Sequence, residues 1–196
     1  MTRRTFLTFT APSVVIMTLL MVIPFATAIW LGFYNITFRS INNPQFVGWA
    51  NYQEVLTDGG FWQAAGFTAI FIMVVVPMHI IVGFVIALLI DQTNRSRGFY
   101  IAGSLLPFIV TPVVGTLMFR QIFDRNGLYP YLLELMGYDV NFFINGTWVR
   151  ALILFHGVWY MTPFAMITLF AGLQTVPKEP LEAAIVDGAT WLERMW

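Results

Sequence analysis

Apolar residues along this chain are gathered into long blocks rather than spread with a helical or a two-residue period. Four blocks stand out, at about residues 12–33, 65–90, 99–119 and 149–173. A hydrocarbon layer about 30 Å thick needs roughly 20 apolar residues of helix, so each block predicts a membrane span. Each block also contains proline: Pro24, Pro77, Pro107 with Pro112, and Pro163. Inside a water-exposed helix proline removes a hydrogen bond and clashes with the preceding turn. In a bundle, neighbouring helices and waters satisfy the freed carbonyls. Packing kinks and a gating hinge both account for these prolines. The expected fold class is all-α, a polytopic transmembrane helix bundle with four spans.

The polar intervals add detail. Residues 35–64 include Phe46-Val47-Gly48-Trp49-Ala50-Asn51-Tyr52, a glycine turn followed by interfacial aromatics, and Phe61-Trp62 before the second span. This pattern predicts a segment lying at the membrane surface. Residues 124–147 open with a turn at Asn126-Gly127 and continue with Leu128–Met136, which predicts a short amphipathic helix.

Composition sharpens the membrane reading. Hydrophobic residues make up 58% of the chain and charged residues 10%, against about 25% charged in a soluble domain. The formal net charge is zero, so no nucleic acid partner is expected. The chain has no cysteine, which excludes disulfides, thiolate metal sites and cysteine nucleophiles within it. With four spans, Arg3, Arg4, Arg95, Arg97, Lys178 and Arg194 fall on one side and Arg39, Arg120, Arg125 and Arg150 on the other. That bias puts the termini in the cytoplasm. Arg3-Arg4 with Ala26-Thr27-Ala28 also has the look of an export leader. The apolar run continues through Phe33, too long for a leader core, and three more spans follow. The arginines instead hold the first helix with its N-terminus inside.

Candidate chemistry is sparse. The mid-span ionisable residues are His79 and His156. Neither has a carboxylate near it in sequence, and two histidines make a poor metal site without a third ligand; no metal and no cofactor are expected. No nucleotide-binding loop or nucleophile motif is present, so any ATP must be bound by another chain. In the fourth span His156, Trp159, Tyr160 and Thr162 lie within two turns. Aromatic faces stack on sugar C–H surfaces and the polar tips bond hydroxyls, so these four suit a carbohydrate path; for each residue singly, interhelical packing is the more common role. Beyond that span, Val176-Pro177 breaks the helix and Pro180 suits the first turn of a new one. Leu181, Ala184 and Ile185 share a face of it, Glu182 and Asp187 lie elsewhere around it, and Gly188 can reverse the chain.

Several of these stretches are similar to the sugar-type permeases of binding-protein-dependent ATP-binding-cassette (ABC) importers. They are Phe46-Val47-Gly48-x-x-Asn51-Tyr52, Leu105-Leu106-Pro107, Thr111-Pro112-Val113-Val114, Trp159-x-x-Thr162-Pro163-Phe164 and Ala171-Gly172-Leu173-Gln174-x-Val176-Pro177-Lys178-Glu179. Glu182-Ala183-Ala184 followed by Asp187-Gly188-Ala189 completes the set. The resemblance implies that residues 174–196 are a cytoplasmic coupling segment within a single transmembrane permease domain spanning 1–196. In it Glu182 would pair with a basic residue of an ATPase, Ala183 and Ala184 would permit close approach, and Asp187 and Gly188 would end the helix. It implies an ATP-binding subunit pair, a second permease subunit and an extracellular or periplasmic solute-binding protein as partners, in a bacterial inner membrane. It also implies two further spans beyond the motif, so the chain reads as incomplete at its C-terminus. The family is non-enzymatic. A secondary transporter or channel independent of ATP is the alternative, opposed by the absence of mid-span carboxylates; an embedded enzyme using the two histidines lacks a third ligand.

Overall fold

The computed structural model describes residues 3–190 except 39 and 94, together with residue 193, and gives the backbone alone for residues 3–6, 178, 181 and 182. Of the charges used for orientation, Arg39, Arg194 and the side chains of Arg3, Arg4 and Lys178 therefore lie outside the described residues. The chain divides into two compact units, Met1–Thr68 and Ala69–Trp196.

The first unit begins with α1 (Arg3–Met17), a π-helical turn over Thr18–Val22, and α2 (Ile23–Leu31). The run Leu7–Leu31 has a mean hydropathy of 2.4 and buries none of its most apolar stretch. The π-turn has a cause in sequence: Pro24 offers no N–H, and the ladder widens just before it, with the Ile23 N–H donating to the Thr18 carbonyl. Lipid offers no partner for a hydroxyl, and Thr18 and Thr27 are satisfied within the helix. Thr18 donates to the Val14 carbonyl and Thr27 to the Ile23 carbonyl, each at 2.8 Å.

The segment after α2 does more than lie on a surface. Strand β1 (Tyr34–Asn35) pairs antiparallel with β2 (Gln45–Phe46). Gly48 then turns at φ 59° into α3 (Ala50–Thr57). The Asn51 amide donates to the carbonyls of Gly32 at 2.9 Å and Tyr34 at 3.1 Å, and the Tyr52 hydroxyl donates to the Ile29 carbonyl at 2.7 Å. The Ile29 carbonyl belongs to the last turn of α2, and those of Gly32 and Tyr34 follow its end. Phe33, Trp49 and Tyr52 pack ring against ring at 5.1–5.4 Å. The glycine-aromatic patch is thus a cap on the exit of the first span.

The second unit holds most of α4 (Gly59–Asp91), then α5 (Arg97–Ile109), α6 (Pro112–Phe123), α7 (Leu128–Leu135), α8 (Gly146–Leu173) and α9 (Lys178–Val186). Its core is Ala87 and Ile90 of α4 against Met166 and Phe170 of α8, flanked by Ile101 and Leu105 of α5. Small residues set the approach. A Cβ at Gly83 would come within 2.9 Å of both the Ala165 Cβ and the Met166 backbone nitrogen. At Gly157 it would come within 2.9 Å of the Phe71 ring. Backbones this close are the usual mode of helix association in membranes, where packing replaces hydrophobic drive. The amphipathic helix expected at 128–136 is present as α7.

Three helical runs are long and apolar enough to cross a membrane: Leu7–Leu31, Gly59–Asp91 and Gly146–Leu173. The third expected span, about 99–119, is not one straight helix. A bend of 91° separates Arg97–Ile109 from Pro112–Leu135, and a fourth crossing exists only if the bent pair is counted as one. Steric contact with the ring of Pro112 drives the residue before it out of the helical region. Thr111 is extended at ψ 146° and Val110 at ψ 129°. Pro112 then starts α6, where a missing N–H costs nothing. Pro77 and Pro163, by contrast, sit inside unbroken helices.

Candidate functional site

Helix α9 is short, and both of its ends are specified. Pro177, extended at ψ 140°, precedes it, Pro180 lies in the first turn, and Glu179 places a negative charge by the N-terminal dipole. At the other end the Ala189 N–H donates to the Ala184 carbonyl at 2.9 Å and the Gly188 N–H to the Ile185 carbonyl at 3.1 Å. Gly188 has φ 84°. This is the paired-bond C-terminal motif that requires a left-handed residue. Ala183, Ile185, Val186 and Asp187 are exposed, Val186 by 87%, and Ala184 is half-buried. The Leu181 and Glu182 side chains lie outside the described residues. Just beyond, the Glu193 carboxylate accepts from both the Thr190 N–H and its hydroxyl at 2.7 Å, while the Thr190 oxygen accepts from the Glu193 N–H at 3.4 Å. That reciprocal pair is a capping box, and the backbone bond from Thr190 holds the Glu193 carboxyl below its ordinary range.

The four expected path residues do not line one common space, although the His156 ring lies 5.8 Å from that of Trp159. Trp159 and Thr162 line a cleft of about 590 Å³ between α4, α5 and α8, with Met78, Val82, Ser104 and Pro107 among its other walls. The Thr162 hydroxyl is already committed to the Val158 carbonyl at 2.6 Å, which leaves Ser104 as the main hydroxyl of an otherwise apolar cleft. His156 instead borders a second pocket of about 320 Å³ with Thr116, Phe119 and Arg120. Its ring stacks on Tyr160 at 6.1 Å and meets Phe119 edge-on at 4.8 Å. Its Nε2 is buried without a partner among the described residues. Tyr160 borders neither space. His79 contacts its own helix through Nδ1 and the Val75 carbonyl at 2.7 Å, not a neighbouring one. No group of three or more potential metal ligands occurs among the described residues.

Sequence reasoning missed a polar cluster where α4, α5 and α8 end or begin. Arg97 contacts Asp91 Oδ1 at 2.9 Å and the Asp91 carbonyl at 3.2 Å. The Gln174 amide donates to the same Oδ1 at 2.6 Å and accepts from Arg97 at 3.4 Å. The guanidinium lies 4.9 Å from the centre of the Phe170 ring. The sequence separations of 77 and 83 residues explain why no local pattern announced it.

No family model matches the chain. It is 31% identical over 188 residues to the trehalose/maltose transport system permease protein of Thermococcus litoralis, covering 93% of this chain and 62% of that protein. It is 29% identical over 187 residues to the sn-glycerol-3-phosphate transport system permease protein of Salmonella typhimurium, covering 95% and 63%. The chain thus spans about three-fifths of the length of these relatives. In fold it matches a bacterial ABC transporter involved in the import of alginate, with a TM-score of 0.75 at 19% identity, over 98% of this chain and 66% of the other.

Proposed function

We propose that this chain, similar over most of its length to sugar and glycerol-phosphate transport permeases, acts as a permease subunit of an ATP-driven, binding-protein-dependent ABC importer for a carbohydrate or related polyol. The observation that carries this reading is the alignment of more than nine-tenths of the chain with transport permeases at about 30% identity. Three or four candidate spans agree with an integral membrane component. The chain itself performs no covalent chemistry in this reading; ATP is bound and hydrolysed by a pair of partner subunits.

Helix α9 is the contact to that pair. Its exposed residues Ile185 and Val186 form a small apolar surface, Ala183 and Ala184 keep it low, and Glu182 and Asp187 supply carboxylates for a groove with a basic rim. Gly188 returns the chain after two and a half turns. Closure of the ATP-binding pair pushes on α9, and the bundle switches between inward- and outward-facing states. A second permease subunit completes the pathway, and a solute-binding protein delivers substrate on the far side. The termini lie in the cytoplasm, as the arginines flanking the first span and the 91–98 loop favour. Trp159 and Thr162, lining the larger cleft, stand closest to a substrate path, with His156 and Tyr160 behind it.

Co-purification of the full-length gene product in mild detergent tests the reading. The wild type is expected to retain an ATP-hydrolysing partner, and Glu182→Lys to lose it while still inserting in the membrane. A wild-type protein that retains no ATPase, or uptake that persists without ATP, would overturn it.

A further inference from the structure

We propose that Asp91, Arg97 and Gln174 form a clamp that makes the ends of α4, α5 and α8 move as one body with α9; this rests on the importer reading. The placement of the charges is the first reason. Asp91 is the last residue of α4 and Arg97 the first of α5. A carboxylate at a helix C-terminus and a cation at an N-terminus both oppose the helix dipole. Neither charge helps its own helix, and each offsets the other across the loop at 2.9 Å.

Gln174 is the second reason. It caps α8, and four residues later α9 begins. Its amide is polarised by its neighbours: nitrogen toward Asp91 and oxygen toward Arg97, an orientation that only this pair of partners satisfies. One turn earlier on the same face of α8, Phe170 lies under the guanidinium. Arg97 thus grips the last turn of α8 at two points. The connection onward is taut, because the Thr175 N–H and hydroxyl both bond the Gly172 carbonyl, at 3.0 and 2.7 Å, and Val176 donates to Leu173 at 3.3 Å. A displacement of α9 therefore reaches Gln174 without slack, and through it α4 and α5.

Stability alone does not account for the arrangement. The ion pair is one-third to two-fifths exposed, and pairs in that setting contribute little. The geometry even leaves Arg97 Nε buried with no partner among the described residues, a cost that calls for an explanation other than stability.

The chain has no cysteine of its own, which allows a direct test in the reconstituted transporter. The double variant Asp91→Cys/Gln174→Cys is expected to keep its ATPase partner but to transport at least ten-fold less substrate per ATP hydrolysed. Joining the two thiols with a short bis-methanethiosulfonate bridge should restore the ratio to within two-fold of wild type, since a clamp need not open. Wild-type coupling in the unbridged variant, or no recovery on bridging, would overturn the proposal. Should the double variant fail to assemble, Arg97→Lys decides: a lowered transport-to-hydrolysis ratio supports the clamp, and an unchanged one sinks it. Failure of the importer reading itself would show separately, as absence of an ATPase from the wild-type preparation.

Discussion

Gly188 shows how one residue sets the end of α9. At φ 84° it occupies a region that costs a residue with a Cβ roughly 1–2 kcal/mol, and its N–H and that of Ala189 bond the Ile185 and Ala184 carbonyls of α9. Gly188→Val should loosen the end of α9 and lower ATPase retention in co-purification, whereas Gly188→Asn, which visits the left-handed region more readily, should retain most of it. Equal retention by both variants would mean the turn is not needed for docking. The glycine turn was legible in sequence because a turn requirement is local. That His156 borders a different pocket from Trp159 was not legible: their rings lie 5.8 Å apart on α8 and Gly115 of α6 faces both, yet only Trp159 lines the larger cleft.

Helices behaved as their apolar blocks required, except where proline met an extended residue. The blocks at 65–90 and 149–173 lie within single helices, and the block at 12–33 is helical as far as Leu31, with a π-turn at Thr18–Val22. The block at 99–119 broke, because hydropathy counts apolar residues without regard to the Val110-Thr111-Pro112 geometry that turns the chain by 91°. Packing between elements depends on small residues that hydropathy also overlooks. Gly83→Leu should force α4 away from Ala165 and the Met166 backbone, with an overpacking cost of about 1–3 kcal/mol or more. The thermal midpoint of the detergent-solubilised protein should fall accordingly. Gly66→Leu, where no neighbour lies within 4 Å of a Cβ, is the control and should leave the midpoint unchanged.

For the molecule as a whole, the bent pair α5–α6 decides how many times the chain crosses the bilayer. Single cysteines introduced at Ser96 and Asn126 report this through an impermeant maleimide. If the pair is one crossing, Ser96 and Asn126 should react from opposite faces; reaction of both from one face would make the pair a re-entrant loop. The sequence by itself determined the class of protein. Long apolar blocks, few charges and the segment from Pro177 to Gly188 are properties of composition and short spacing, which survive without knowledge of partners. Tertiary structure alone decided what the polar residues do. It committed Asn51 and Tyr52 to capping the first span, divided the four fourth-span residues between two pockets and a packed face, and brought Asp91, Arg97 and Gln174 together. The physical reason is one of range: burial follows from each residue's own affinity for lipid, whereas a hydrogen bond between distant helices exists only once packing has fixed their approach.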